Sequence, residues 1–214
     1  TIDFLQIRRT WPRPGAALGA EVLARLKIGL LGGSFNPAHE GHRHISLLAL
    51  KQLRLDQVWW LVSPQNPLKP TVGMAPFGDR MAGAKAMARH PRIRVSDLER
   101  RMNTRFTVDT LAALRRRCPE HAFVWLMGAD NLMQLPRWHR WCEIVEGMPI
   151  AVFNRAGDGA GGGHRALAGA AAARFAPFRV ARPAELALSP APAWCFLFSR
   201  LHPASSTEIR AKEA

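Results

Sequence analysis

Gly32-Gly33-Ser34-Phe35-Asn36-Pro37-Ala38-His39-Glu40-Gly41-His42 lies between an apolar run, Ile28 to Leu31, and a segment, Arg43 to Leu53, with apolar residues at Ile45, Leu48, Leu50 and Leu53. The run is short enough for one buried strand, and the later spacing is closer to helical than to alternating. The stretch therefore reads as strand, glycine turn, loop, helix. Glycines let the backbone turn sharply and approach a ligand closely. A helix starting near Gly41 directs its first N–H groups and positive dipole at whatever fills the loop. That outlines a phosphate site. A glycine pair after a strand is common, and a lone histidine is usually structural. Two histidines three apart, His39 and His42, at a helix start behind such a turn point to function. The glycine spacing is not that of the dinucleotide fingerprint, and the lysine of a P-loop is missing.

Further along, Val58 to Val62 reads as a second strand. Ser63 to Pro76 is a loop stiffened by Pro64, Pro67, Pro70 and Pro76. Arg80 to Arg89 reads as a helix and Arg92 to Val95 as a short strand. Thr107 is the expected N-cap of a helix through Arg117, which carries arginines in its last turn and stops at Pro119. His121 to Met127 is a strand ending at Gly128-Ala129-Asp130. Trp138 to Val145 is expected to be helical, Pro149 to Phe153 a strand, Trp194 to Phe198 the last strand, and Ser205 the start of the last helix. Ala156 to Ala173 is Gly- and Ala-rich, a loop followed by a weak helix. Strands alternating with helices imply an α/β fold: a mostly parallel sheet with helices on both faces. Loops after the strands of such a sheet share one edge, where ligands bind. Residues 27–214 are expected to form a single domain. Residues 1–26, broken by Trp11-Pro12-Arg13-Pro14-Gly15, are expected to be an extension.

The 214 residues suffice for one well-buried domain, and a hydrophobic fraction of 48% argues for a globular chain. A formal net charge of +14 implies an anionic partner or environment. The basic residues are scattered and carry no RNA-binding signature, so no specific nucleic acid is expected. Cys118, Cys142 and Cys195 are far apart and odd in number, which argues against a disulfide framework or a zinc knuckle. Reduced thiols suit a cytoplasmic protein. No run approaches a membrane span, and no secretory signal is visible, so no membrane partner is expected.

The quoted stretch resembles the signature of the nucleotidyltransferase superfamily that carries the HxGH motif. The second signature of that superfamily is matched by Ser205-Ser206-Thr207-Glu208-Ile209-Arg210. The subfamily it resembles most is bacterial nicotinate-nucleotide adenylyltransferase. Ser63 to Pro70, Phe106 to Leu111, Gly128-Ala129-Asp130 and Pro136-Arg137-Trp138 support this, and the resemblance covers about residues 27 to 210. It implies a Rossmann-like doubly wound fold and transfer of AMP from ATP to nicotinate mononucleotide. The products would be nicotinate adenine dinucleotide and pyrophosphate.

Such a site must hold two polyanions in line and neutralise charge as the bond breaks. The resemblance places ATP on Gly32, Gly33, Ser34, Phe35, His39, His42, Asp130, Arg155, Ser205, Ser206, Thr207 and Arg210, with His39, His42 and Arg210 doing the chemistry. It places the acceptor on Lys69, Phe106, Thr107 and Trp138. Mg²⁺ is expected to arrive with ATP, held by phosphates and water, because no carboxylate cluster suggests a protein-built cage. Asp109 would oppose an anionic acceptor unless its side chain is turned away. Two alternatives stay open: another acceptor (nicotinamide mononucleotide or pantetheine phosphate), or a non-catalytic nucleotide- or RNA-binding protein on the same scaffold.

Overall fold

The computed structural model describes residues 25–65, 73–154 and 162–198, with Ser206 and Ile209. Lys69, Arg155, Ser205, Thr207, Arg210 and residues 1–24 of the expected extension lie outside the described residues.

The chain runs β1 (Lys27–Gly33), α1 (Glu40–Gln52), β2 (Gln57–Val62), α2 (Phe77–Ala88), β3 (Ile93–Ser96), α3 (Leu98–Arg101), α4 (Thr107–Arg117), β4 (Ala122–Gly128), α5 (Ala129–Gln134), α6 (Trp141–Gly147), β5 (Ile150–Phe153), α7 (Gly162–Leu167), α8 (Ala170–Arg174) and β6 (Trp194–Leu197). Short 3₁₀ turns intervene at Leu135–Arg137, Ala176–Phe178 and Pro183–Leu188. The six strands form one sheet in the order β3-β2-β1-β4-β5-β6, and every pair is parallel. This is the parallel sheet that the strand–helix alternation predicts, in the doubly wound, Rossmann-like arrangement that the resemblance implies.

Side-chain alternation builds a core on each face of the sheet. Ile28, Leu30, Trp59, Trp125, Met127 and Val152 join one cluster with residues of α4 to α8. Leu31, Val58, Trp60, Leu126 and Phe153 join the other, with α1 and α2. The adjacent Trp59 and Trp60 therefore anchor opposite faces, exposed by only 4% and 0%. Strand order reverses at β1, whose neighbours are β2 and β4. The crevice beyond the carboxyl ends of β1 and β4 is thus the topological switch point, where open α/β sheets take their ligands.

Two expectations need correction. Thr107 is the first helical residue of α4 rather than its cap. The cap is Phe106, in extended conformation, and it supplies no side-chain hydrogen bond. The expected helix from Trp138 to Val145 is interrupted. Pro136 sits in the first turn of the 3₁₀ segment, Trp138 is extended, and Arg140 takes a left-handed backbone (φ 49°) before α6 begins. In the Gly/Ala-rich segment, the part from Gly162 onward forms two short helices.

Candidate active site

β1 delivers the glycine turn to the switch point. A Cβ on Gly32 would lie 2.3 Å from Trp125 Cη2, so only glycine lets the strand cross that indole. Beyond it, Phe35 is buried with φ 48°, a conformation costly for a residue with a side chain and held here by packing. Ser34 is also buried, and among the described residues nothing hydrogen-bonds its Oγ. A buried hydroxyl in that state at the mouth of a ligand crevice suits a site completed by a ligand.

α1 starts at Glu40, and its cap is His39. The His39 Nδ1 accepts the Gly41 N–H at 3.1 Å, and the His42 Nδ1 accepts the His39 N–H at 3.3 Å. Two imidazoles thus form a reciprocal capping box, the arrangement usually made by Ser or Thr with Glu or Gln. Because both Nδ1 atoms accept, the hydrogen of each neutral ring lies on Nε2. The ring centroids are 3.9 Å apart. Behind them, Phe35 lies 4.7 Å from His42 and stacks on Trp60 at 5.1 Å. Trp60 Nε1 donates to Ser46 Oγ at 2.7 Å, and that hydroxyl donates to the His42 carbonyl at 2.8 Å. The histidines are therefore locked from below by a buried aromatic and hydroxyl platform.

The second signature reaches the first. Ser206 is helical, and its Oγ donates to the Pro37 carbonyl at 3.1 Å. Asp130, in the first turn of α5 directly beyond β4, stands half-buried on the same sheet edge.

On the far side of the crevice, α4 begins at Thr107 with no side-chain cap over its first N–H groups. Phe106 is half-buried, and its ring lies 4.3 Å from that of His139. Trp138, also half-buried, meets Trp125 edge-on at 6.5 Å. Trp125 touches both Gly32 and Trp138, so one indole links the glycine turn to the tryptophan expected under the acceptor ring. The Asp109 carboxylate accepts from Arg140 at 3.3 Å, which answers how its charge is offset.

Sequence reasoning missed three groups. Arg80, read only as a helix residue, is buried and hydrogen-bonds four carbonyls. Asn36, inside the quoted motif, bonds Gly73 and Ala75. Glu99 is buried, and burial pushes its carboxyl up to about 7 against the opposing hydrogen bond with the Ser63 side chain. A charged residue on an otherwise apolar helix face was the available signal for Arg80.

Comparison with known proteins gives the family and the fold. The family model for cytidylyltransferase-like proteins matches residues 30–212. A protein of Parvibaculum lavamentivorans named "Probable nicotinate-nucleotide adenylyltransferase" is 56% identical over 185 residues, 86% of this chain and 91% of that one. A protein of the same name from Cereibacter sphaeroides is 54% identical over 184 residues, 86% of this chain and 96% of that one. Among solved structures, Plasmodium falciparum nicotinic acid mononucleotide adenylyltransferase complexed with NaAD superposes with a TM-score of 0.62. At 18% identity it covers 86% of this chain and 82% of its own, a likeness of fold.

Proposed function

This chain belongs to the cytidylyltransferase-like family, among its nicotinate-nucleotide adenylyltransferases, and from that premise we infer how its residues divide the work. The reaction transfers AMP from ATP to nicotinate mononucleotide, a step of NAD biosynthesis. A phosphate oxygen of the acceptor attacks the α-phosphorus of ATP. The bond from that phosphorus to the oxygen bridging to the β-phosphate breaks, and pyrophosphate leaves with the electron pair. The acceptor oxygen is already anionic, so no base is needed.

The observation that carries the assignment is the histidine capping box. With both Nδ1 atoms occupied by backbone N–H groups, His39 and His42 offer Nε2–H to the phosphate oxygens on which charge develops. The backbone from Gly32 to Phe35 and the Ser34 hydroxyl receive the remaining phosphate oxygens at the positive end of α1. Ser206, with Ser205, Thr207 and Arg210, forms the second phosphate cradle. Its contact with Pro37 supports convergence on one triphosphate. Arg155 adds positive charge near the nucleotide, and Asp130 accepts from a ribose hydroxyl.

Lys69 meets the acceptor phosphate, and Trp138 stacks on the pyridine ring. The first N–H groups of α4, at Phe106 and Thr107, take the ring carboxylate. The tie from Asp109 to Arg140 offsets the one negative charge in that helix's first turn. Mg²⁺ bound with ATP would supply charge neutralisation at the phosphates. Phosphate oxygens and water would be its main ligands, as is usual for this ion. One domain, residues 27–214, carries both substrates.

We place the protein in the cytoplasm, in keeping with three free cysteines. Among the described residues no helix is long and apolar enough to cross a membrane. The test is pyrophosphate release from ATP with a panel of acceptors. Release with nicotinate mononucleotide supports the assignment, and release only with pantetheine phosphate redirects it.

A further inference from the structure

Arg80 lies in the first turn of α2, 4% exposed. Four of its five guanidinium N–H groups go to backbone carbonyls. Nη1 donates to Ser34 and to Ser63, each at 2.7 Å. Nη2 donates to Pro64 at 2.9 Å, and Nε to Ala75 at 3.0 Å. Among the described residues no carboxylate pairs with it. These carbonyls belong to three separate pieces of chain: the glycine turn after β1, the exit of β2, and the entry to α2. Asn36 ties two of these pieces, the motif loop and the entry to α2, from the motif side. Its Nδ2 donates to the Gly73 carbonyl at 3.0 Å, and its Oδ1 accepts the Ala75 N–H at 3.1 Å. Ala75 is thus held at its N–H by Asn36 and at its carbonyl by Arg80. Past the last ladder pair, the Ser63 N–H also bonds the Gly33 carbonyl at 2.9 Å.

A cation buried among neutral carbonyls is an expensive way to fix a loop, because desolvation is offset only by carbonyl dipoles and by the Phe77 ring, whose centroid lies 5.3 Å from the guanidinium carbon. Burial lowers the affinity of this guanidinium for its proton, the expected sign. Lysine would not serve equally: its donors radiate from one point and do not match a planar fork spanning four carbonyls. What the arrangement adds is a fixed positive charge immediately behind the turn that must accept a triphosphate. Charge already in place, with no reorganisation left to do, is the kind that lowers a phosphoryl-transfer barrier.

We propose that Arg80 is a positioning residue for adenylyl transfer, locking the Ser34 turn to the exit of β2 and the entry of α2 and setting positive charge behind the triphosphate. It touches neither substrate and acts through the Ser34 backbone. The proposal rests on the adenylyltransferase reading above, and its test is kept separable from it.

The experiment compares the full chain with Arg80→Lys, Arg80→Met and Arg80→Ala. It reads melting temperature, binding of a non-hydrolysable ATP analogue, and kcat and KM for both substrates. Misalignment of about an ångström costs on the order of 10² in rate, so folded variants should lose about that in kcat. Analogue binding should weaken by about tenfold, the smaller share that a displaced turn and lost charge remove before reaction begins. Guanidinium ion at non-denaturing concentration should restore part of the Arg80→Ala rate and none of the rate of His42→Ala. If the shorter variants do not fold, Arg80→Lys decides, with kcat falling while the melting temperature stays within a few degrees. Wild-type kcat in any folded variant overturns the proposal. So does a rate loss that only follows the folded fraction and is not rescued by guanidinium. Because analogue binding needs no acceptor, it still reads Arg80 if nicotinate mononucleotide is not the substrate.

Discussion

The Ser206 hydroxyl donates to the Pro37 carbonyl at 3.1 Å, joining residues 169 positions apart and setting the second signature against the loop of the first. Ser206→Ala removes one neutral hydrogen bond, worth about 1 kcal/mol, and with it the tie that seats the second signature against the first. The expected outcome is a KM for ATP raised by roughly fivefold to tenfold with acceptor KM nearly unchanged. Steady-state kinetics with each substrate varied in turn checks this. An effect confined to the acceptor would contradict convergence on the triphosphate.

His42→Ala is expected to lower kcat by roughly 10²–10³, the cost of removing one preorganised donor to developing charge. Affinity for an ATP analogue should fall far less. The His42 ring also accepts the His39 N–H, so His42→Asn, which keeps a side-chain acceptor, separates capping from catalysis. If His42→Asn turns over normally, the imidazole has no role in the transfer.

Glu99 gives the protein a pH-dependent stability. Its folded carboxyl titrates at about 7 against an ordinary 4.5, because it is buried. Between those values the folded state holds a proton that the unfolded chain has released, so stability falls as pH rises from 4.5 to 7 and is flat above. At about 1.36 kcal/mol per pH unit the loss is up to about 3 kcal/mol. Glu99→Gln should flatten this part of the profile and be the more stable protein at pH 8, as read by denaturant unfolding across pH 4 to 8. A variant less stable than wild type at pH 8 would contradict it.

The fold was legible because its signals are local and mutually consistent. Four-to-seven-residue apolar runs, a glycine pair at the end of the first, and helical spacing after it leave little besides a parallel sheet with a ligand at its edge. What the sequence hides has separate physical causes. Arg54, Arg89 and Arg140 adopt left-handed backbones without being glycine or asparagine, so none announces a turn. Arg140 accordingly breaks a segment that reads as one continuous helix. His39 caps α1 although histidine is not a usual cap residue, so the helix start was legible but its cap was not. Arg80 left only a faint trace, one charge on an otherwise apolar helix face. A buried arginine held by carbonyls leaves no partner residue type to search for.

Trp138 and Thr107 separate ring stacking from carboxylate recognition. Trp138→Ala should reduce kcat/KM for acid and amide acceptors alike, by about tenfold or more, since it removes a flat aromatic surface worth 1–3 kcal/mol. Thr107→Ala should change the acid-to-amide ratio by less than about threefold, because the proposed donors at the start of α4 are backbone N–H groups. A large change of that ratio in Thr107→Ala would move recognition from the backbone to the hydroxyl.

Nicotinate mononucleotide as the acceptor is tested most directly by kcat/KM for that nucleotide against nicotinamide mononucleotide, at saturating ATP. A helix start with no side-chain cap favours a carboxylate, whereas an amide turns an NH₂ donor toward donors and leaves buried N–H groups unsatisfied. Sites of that design reject the wrong partner by as much as roughly 10⁴-fold. The account predicts a ratio favouring the acid by at least about a hundredfold. A ratio near one, or one favouring the amide, would contradict it.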